Sequence, residues 1–184
     1  MISFSLVAAM DLQRGIGKAG NLPWSFSGDM KYFKTLTTKT TTPQKQNIVM
    51  MGRKTWDSIP QKFRPLPNRI NLVLTHKKNP DFPPPVLFAD SLEKGLRLFQ
   101  TSSYQEKIEN IFIIGGEEIF EVALKMPACK KLYITHIQHT FDCDTFFPHF
   151  EQQFKQNTTS KTLQENGIPY YFAEYQRHTN ANLP

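Results

Sequence analysis

The chain opens on a largely apolar stretch, Ile2 to Ala9, the pattern of a strand buried on both faces. Four further runs read the same way: Ile48 to Met51, Ile70 to Thr75, Ile111 to Ile114 and Leu132 to Ile137. Between them, helical patterns cover Gly28 to Leu36, Arg53 to Ser58, Ser91 to Gln100 and Glu117 to Lys125, with Asp90 placed to cap the third. Towards the end, Phe154 to Leu163 and Tyr170 to His178 flank Asn166-Gly167, a turn signal for two antiparallel strands. Strands alternating with helices predict one α/β domain over residues 1–184, with a mostly parallel sheet and an antiparallel C-terminal edge. Pro83-Pro84-Pro85 cannot enter a central strand and marks a surface connection.

At 184 residues, folding hides roughly 70% of the unfolded chain's surface, so a core and an enclosed cleft need no covalent staples. The two cysteines, Cys129 and Cys143, have neither the spacing of a zinc site nor the count of a disulfide framework. A reducing, cytoplasmic setting is expected. The apolar start lacks a positive lead-in, Asp11 interrupts it, and no later run reaches membrane-spanning length, so no membrane partner is expected. Asn157-Thr158-Thr159 matches a glycosylation acceptor but, without an export signal, reads as an exposed polar loop.

Charge narrows the partners. Twenty-two basic against sixteen acidic residues give +6, which suits a polyanion or a small anionic ligand. The lysines come singly or in pairs, as at Lys77-Lys78 and Lys130-Lys131, and not as a dense tract. Phe33, Phe88, Phe99, Phe112 and Phe147 sit in apolar contexts and form no stacking platform, which disfavours RNA binding, the non-enzymatic reading that the charge suggests.

Gly15-Ile16-Gly17-Lys18-Ala19-Gly20 matches the dinucleotide fingerprint and follows a strand. That fingerprint works only where a helix begins on the glycines, and Leu22, ahead of Pro23, is pushed out of helical geometry. The segment also fails as a Walker loop, because Gly17-Lys18 precedes Ala19 and not a hydroxyl residue. It reads as a flexible glycine-rich loop.

In order along the chain come Val7-Ala8-Ala9, Gly15-Ile16-Gly17, Leu22-Pro23-Trp24, Asp29 and Phe33, then Met51-Gly52-Arg53-Lys54-Thr55-Trp56, Ser58-Ile59-Pro60 and Arg64-Pro65-Leu66-Pro67. Arg69, Ile114-Gly115-Gly116, Thr135 and Asp144-Thr145-Phe146-Phe147-Pro148 follow. The ordered combination resembles dihydrofolate reductase over nearly the whole chain. The resemblance implies a three-layer α/β fold with a central, mostly parallel eight-stranded sheet and four flanking helices. It also implies hydride transfer from NADPH to 7,8-dihydrofolate, yielding tetrahydrofolate. A related reductase of another heterocycle, of the riboflavin-pathway pyrimidine type, is the alternative. A monomer is expected.

Asp29 falls at the start of a helix, where a carboxylate can complement the dipole or cap the backbone. The resemblance makes it instead the acid that grips the pterin edge and assists protonation of N5, with a pKa raised by apolar surroundings. Thr135, read alone, is a β-branched strand filler; the resemblance makes it the hydroxyl that orients Asp29. Leu22 and Trp24 are implied to flank the reacting centre. Val7, Ala8, Met30, Phe33, Ile59, Leu66 and Ile114 are implied to line the substrate slot, and Arg69 to pair with the glutamate α-carboxylate in a two-pronged geometry that lysine lacks.

For NADPH, Gly52, Arg53, Lys54 and Thr55 open a helix after a strand, where free amides and cations converge. Gly115 and Gly116 open another, and the resemblance implies a cis peptide between them. Ala9, Ile16, Gly17, Leu74, Ile119 and Phe120 are implied to border the cofactor. Thr75 and His76, with Lys77 and Arg53, are implied to hold its 2′-phosphate; the alternative for Thr75 to Lys78 is a basic surface turn. Two features depart from the family pattern. Phe120 stands where relatives carry a tyrosine, and Glu117 and Glu118 bring negative charge to the second helix start. Because the chain ends soon after the last predicted strand, no thymidylate synthase segment is expected. Closure of the Met10-to-Leu22 loop, made mobile by Gly15, Gly17 and Gly20, completes the expected mechanism.

Overall fold

The computed structural model describes residues 2–78 and 80–178. The chain runs through β1 (Phe4–Met10), β2 (Gly15–Gly17), α1 (Ser27–Thr38), β3 (Gln46–Gly52), α2 (Arg53–Ser58), β4 (Arg69–Leu74), β5 (Leu87–Ala89) and α3 (Leu92–Leu98). It continues through α4 (Ser102–Gln105), β6 (Ile108–Ile113), α5 (Glu117–Lys125), β7 (Cys129–Ile137), β8 (Thr145–Phe146), β9 (Phe154–Thr159), β10 (Leu163–Glu165) and β11 (Ile168–Arg177). The main sheet runs β5-β4-β3-β6-β1-β7-β11, with β10 and β9 sharing the outermost place beside β11. It is therefore eight positions wide. All pairs from β5 to β7 are parallel, and β11 joins β7 antiparallel.

The two-residue period of a strand sends neighbours to opposite faces. Ile48 and Met50 of β3 pack into one core with Leu92 and Leu96 of α3 and Ala123 and Leu124 of α5. Val49 and Met51 pack the other way, against Trp56 of α2 and Phe33 and Leu36 of α1. Helices thus cover both faces, which gives the expected three layers. Each of these fully buried aliphatic side chains contributes about 1.5–3 kcal/mol relative to exposure. Among the described residues, no helix is long and apolar enough to cross a membrane.

Several expectations need correction. The third helix is capped by Ser91, whose hydroxyl accepts from Lys94 N at 3.2 Å, while Asp90 pairs with the Lys94 ammonium. A serine hydroxyl one residue nearer the helix reaches its amides directly. The one-turn α4 is absent from the sequence reading, because four residues, of which Tyr104 packs on the core, are too few to show a helical period. The stretch from Phe154 to Leu163 is two strands, because Ser160 turns its hydroxyl to Phe172 N and breaks the ladder. Asn157 to Thr159 therefore lies on exposed β9, not in a loop. Asn166 and Gly167, with φ of 53° and 76°, connect β10 to β11.

The glycine-rich segment starts no helix, as expected, but it is not a free loop. Gly15 and Gly17 are buried in β2, paired with β8. A Cβ on Gly15 would sit 2.5 Å from Cys143 Sγ, and one on Gly17 2.7 Å from Thr145 Oγ1. These glycines permit close approach. Only Gly20, at φ 78° with nothing near it, keeps the conformational role assigned to all three.

Candidate active site

Parallel strands bring their carboxyl ends to one edge of the sheet, where ligands bind in α/β folds. Thr135 lies near that end of β7, in register with Ala9 of β1 and Phe172 of β11. Its hydroxyl donates to Asp29 Oδ1 at 2.7 Å, and both side chains are buried. Asp29 does not cap its own helix. The amides of Ser27 and Gly28 donate instead to the Glu165 carboxylate, at 2.6 and 3.0 Å. Burial raises the Asp29 carboxyl above the ordinary range; the Thr135 bond opposes this, and the negative charge of Glu165 adds to it. A carboxyl held this way retains its proton to a higher pH than a surface aspartate.

Arg69 begins β4 and is buried. Its Nη1 donates to Thr37 Oγ1 at 2.7 Å and its Nε to Pro67 O at 3.0 Å, while the guanidinium stands over the Phe33 ring. Desolvation lowers its pKa to about 10, which still leaves it charged at neutral pH. Thr37 passes the chain on by donating to Phe33 O at 2.8 Å. Asn71 fixes the neighbouring turn, accepting from Leu66 N and donating to Leu66 O, both at 2.9 Å. Asp29 and Thr37 are eight residues apart on α1, about 12 Å at 1.5 Å per residue. The acid and the guanidinium therefore mark the two ends of one helix-length slot, with Phe33, Ile59, Leu66 and Ile114 packed alongside Val7. Ala8 is half-buried on β1, whereas Met30 and Leu22 are exposed.

Trp24 is buried against Phe141, with ring centroids 5.2 Å apart. Its indole Nε1 is buried and has no hydrogen-bond partner among the described residues. Asp11, which in the sequence reads only as a break in the apolar start, organises the adjoining turn: its carboxylate accepts from Gln13 N, Gly15 N and Phe141 N at 2.7–2.8 Å.

The second constellation lies at the ends of β3, β4 and β6. Gly52 N donates to Gly115 O at 2.8 Å, which joins the starts of α2 and α5. The Gly115-Gly116 peptide is cis, and a Cβ on Gly115 would meet Thr55 Oγ1 at 3.0 Å. Arg53 is paired with Asp57 at 3.0 Å and Lys54 with Glu118 at 3.6 Å, so the expected cations already carry carboxylate partners. Glu117 and Ile119 are half-buried on α5; Ala9, half-buried on β1, packs with the Trp24 cluster, and Ile16, half-buried on β2, packs on the main core. Leu74 is buried at the end of β4. Phe120 is 2% exposed and packs on Phe147 at 4.8 Å, more a core residue than a contact surface. A recess of about 430 Å³ is lined by Thr75, His76, Lys77, Lys78, Asp90 and Lys94. There Thr75 Oγ1 accepts from Lys77 N.

The dihydrofolate reductase family profile matches residues 3–177. Dihydrofolate reductase of Drosophila melanogaster is 39% identical over 185 residues, covering 97% of this chain and 100% of that protein. The bifunctional dihydrofolate reductase-thymidylate synthase of Glycine max is 41% identical over 178 residues, 95% of this chain; the chain spans 34% of its length. Schistosoma mansoni dihydrofolate reductase superposes with a TM-score of 0.85 at 36% identity, covering 96% of this chain and 99% of that one.

Proposed function

The chain belongs to the dihydrofolate reductase family and reduces dihydrofolate with NADPH; on that premise we propose that Asp29 supplies the proton and Arg69 anchors the glutamate end of the substrate. The observation that carries this reading is the buried Asp29–Thr135 bond, on the same helix face as the Arg69–Thr37 bond. Asp29 and Thr37, the residue that Arg69 holds, lie about 12 Å apart along α1, so the ring and the tail of one ligand can be gripped towards opposite ends of the helix. NADPH, when bound, supplies the hydride.

Asp29 offers its carboxyl to the amidine edge of the ring and holds a proton available to N5. Thr135 orients that carboxyl, and Trp24 has a buried N–H with no acceptor among the described residues, suited to a water or a ring substituent. Arg69 uses Nη1 and Nη2 for two-pronged carboxylate recognition, which specifies an amino-acid tail. That requirement favours dihydrofolate over a ribitylated pyrimidine.

The second constellation fits NADPH through backbone more than through free cations. Thr55 packs so closely on Gly115 and Gly116 that a Cβ on either would crowd its hydroxyl, so the turn between β6 and α5 calls for glycine, and its backbone amides are our candidates for the pyrophosphate. Thr75, His76 and Lys77 hold the 2′-phosphate in the basic recess. Two free cysteines suit a reducing compartment. The deciding experiment is NADPH oxidation by purified protein with and without dihydrofolate. Consumption that requires dihydrofolate supports the scheme; equal consumption without it, or none with it, overturns it.

A further inference from the structure

We propose that Glu165 is a positioning residue for the reaction: from the β10–β11 hairpin it caps α1 across the fold, fixing Asp29 against Thr135 and facing it with a like charge. The inference rests on the reading of Asp29 as the proton donor.

Helix α1 has no cap of its own. Phe26 stands at the N-cap and makes no side-chain hydrogen bond to the first turn. Exposed first-turn amides need an acceptor. Both Glu165 oxygens supply it, Oε1 to Ser27 N and Oε2 to Gly28 N, across more than 130 residues of sequence. The same hairpin makes two further contacts with this segment. Asn166 Nδ2 donates to Ser25 O at 3.3 Å, and the Tyr170 hydroxyl approaches Gly28 so closely that a Cβ there would collide with it. Asp29 is the next residue, so the hairpin sets where its carboxyl meets Thr135.

The cap also acts electrostatically. Free amides at a helix start carry about half a positive charge and would favour an ionised Asp29. Glu165 occupies those amides and adds a negative charge of its own. The groups facing Asp29 are the Thr135 hydroxyl from β7, Glu165 from β10, Tyr170 from β11 and Tyr32 from α1. Burial is the largest influence on the Asp29 proton and Glu165 a smaller one, so a modest effect is expected.

The test is the pH dependence of the hydride-transfer rate with NADPH and dihydrofolate, measured in single turnovers for wild type, Asp29→Asn and Glu165→Gln. Wild type should lose rate with rising pH along a limb that is absent in Asp29→Asn. In Glu165→Gln that limb should lie at lower pH, giving a rate about threefold below wild type at a pH on the limb. A Glu165→Gln limb superimposed on wild type overturns the proposal. A wild-type limb that persists in Asp29→Asn overturns the Asp29 reading instead, so the two failures are distinguishable. Glu165→Asp draws the carboxylate back by about 1.5 Å and should move the limb in the same direction by less. It decides the matter if Glu165→Gln does not fold, and an unmoved limb there also overturns the proposal.

Discussion

Replacing Thr135 by valine keeps the branched shape of its strand position and deletes only the hydroxyl that donates to Asp29 Oδ1. A hydrogen bond to a charged group contributes about 1.5–3 kcal/mol, and the site is buried, so bulk water does not replace it. The loss falls on the ionised form of Asp29. Burial already lifts this carboxyl above its ordinary range and the Thr135 bond draws it back, so Thr135→Val raises it further. For a carboxyl raised on folding, stability is fully present below the unfolded pKa and is lost as pH rises through the folded value. Thr135→Val should therefore destabilise by about 1.5–3 kcal/mol on the alkaline side and by progressively less in acid. At about 2–4 °C per kcal/mol for a chain of this size, the alkaline Tm falls by about 3–12 °C. Urea unfolding at about pH 5 and about pH 8.5 measures the difference, and the alkaline limb of hydride transfer should move to higher pH, opposite to Glu165→Gln. Equal destabilisation at both pH values would refute the assignment of this bond to an ionised Asp29.

Asp29→Asn should lose about 10²–10⁴ in dihydrofolate turnover while NADPH still binds. It should also unfold at a higher temperature than wild type near neutral pH, because a buried carboxylate is gone; turnover within about threefold of wild type removes Asp29 from the chemistry. Arg69→Lys should weaken dihydrofolate by about tenfold or more in a binding titration and leave NADPH unchanged, since an ammonium cannot keep Thr37 and grip a carboxylate with two prongs. Equal weakening of both ligands would make the arginine structural. Gly28→Ala should cost about 1–3 kcal/mol in denaturant unfolding, because Tyr170 is buried against Phe26 and cannot yield. Adding Tyr170→Phe should recover part of it, and no recovery would place the collision elsewhere.

The parallel strands and the helices over them were legible because each carries its own period and is buried by close neighbours. Asp29, Thr135 and Arg69 are legible only through family likeness: taken singly, the first two read as a dipole partner and a strand filler, and nothing local singles out the third. What escaped was pairing across long sequence distance. Glu165 capping α1, Asp11 holding the turn before β2, and Asn71 clamping Leu66 are polar side chains serving backbone groups, and no local pattern announces the recipient. The glycines of β2 were misread for a related reason. Glycine marks either freedom or crowding, and only β8, about 130 residues later, reveals that here it is crowding. Phe120, judged by its place in a motif, turned out to be packed on Phe147.

The antiparallel edge of the sheet also bears on how the protein comes into being. Residues proposed to touch either ligand all precede Ile137, yet β11 runs beside Thr135 and the carboxylate in front of α1 arrives only with β10. A nascent chain halted on the ribosome after β7 would present every ligand contact and still lack the brace that seats its acid. Turnover thus reports that the β10–β11 hairpin, made after every ligand contact of this domain, has docked.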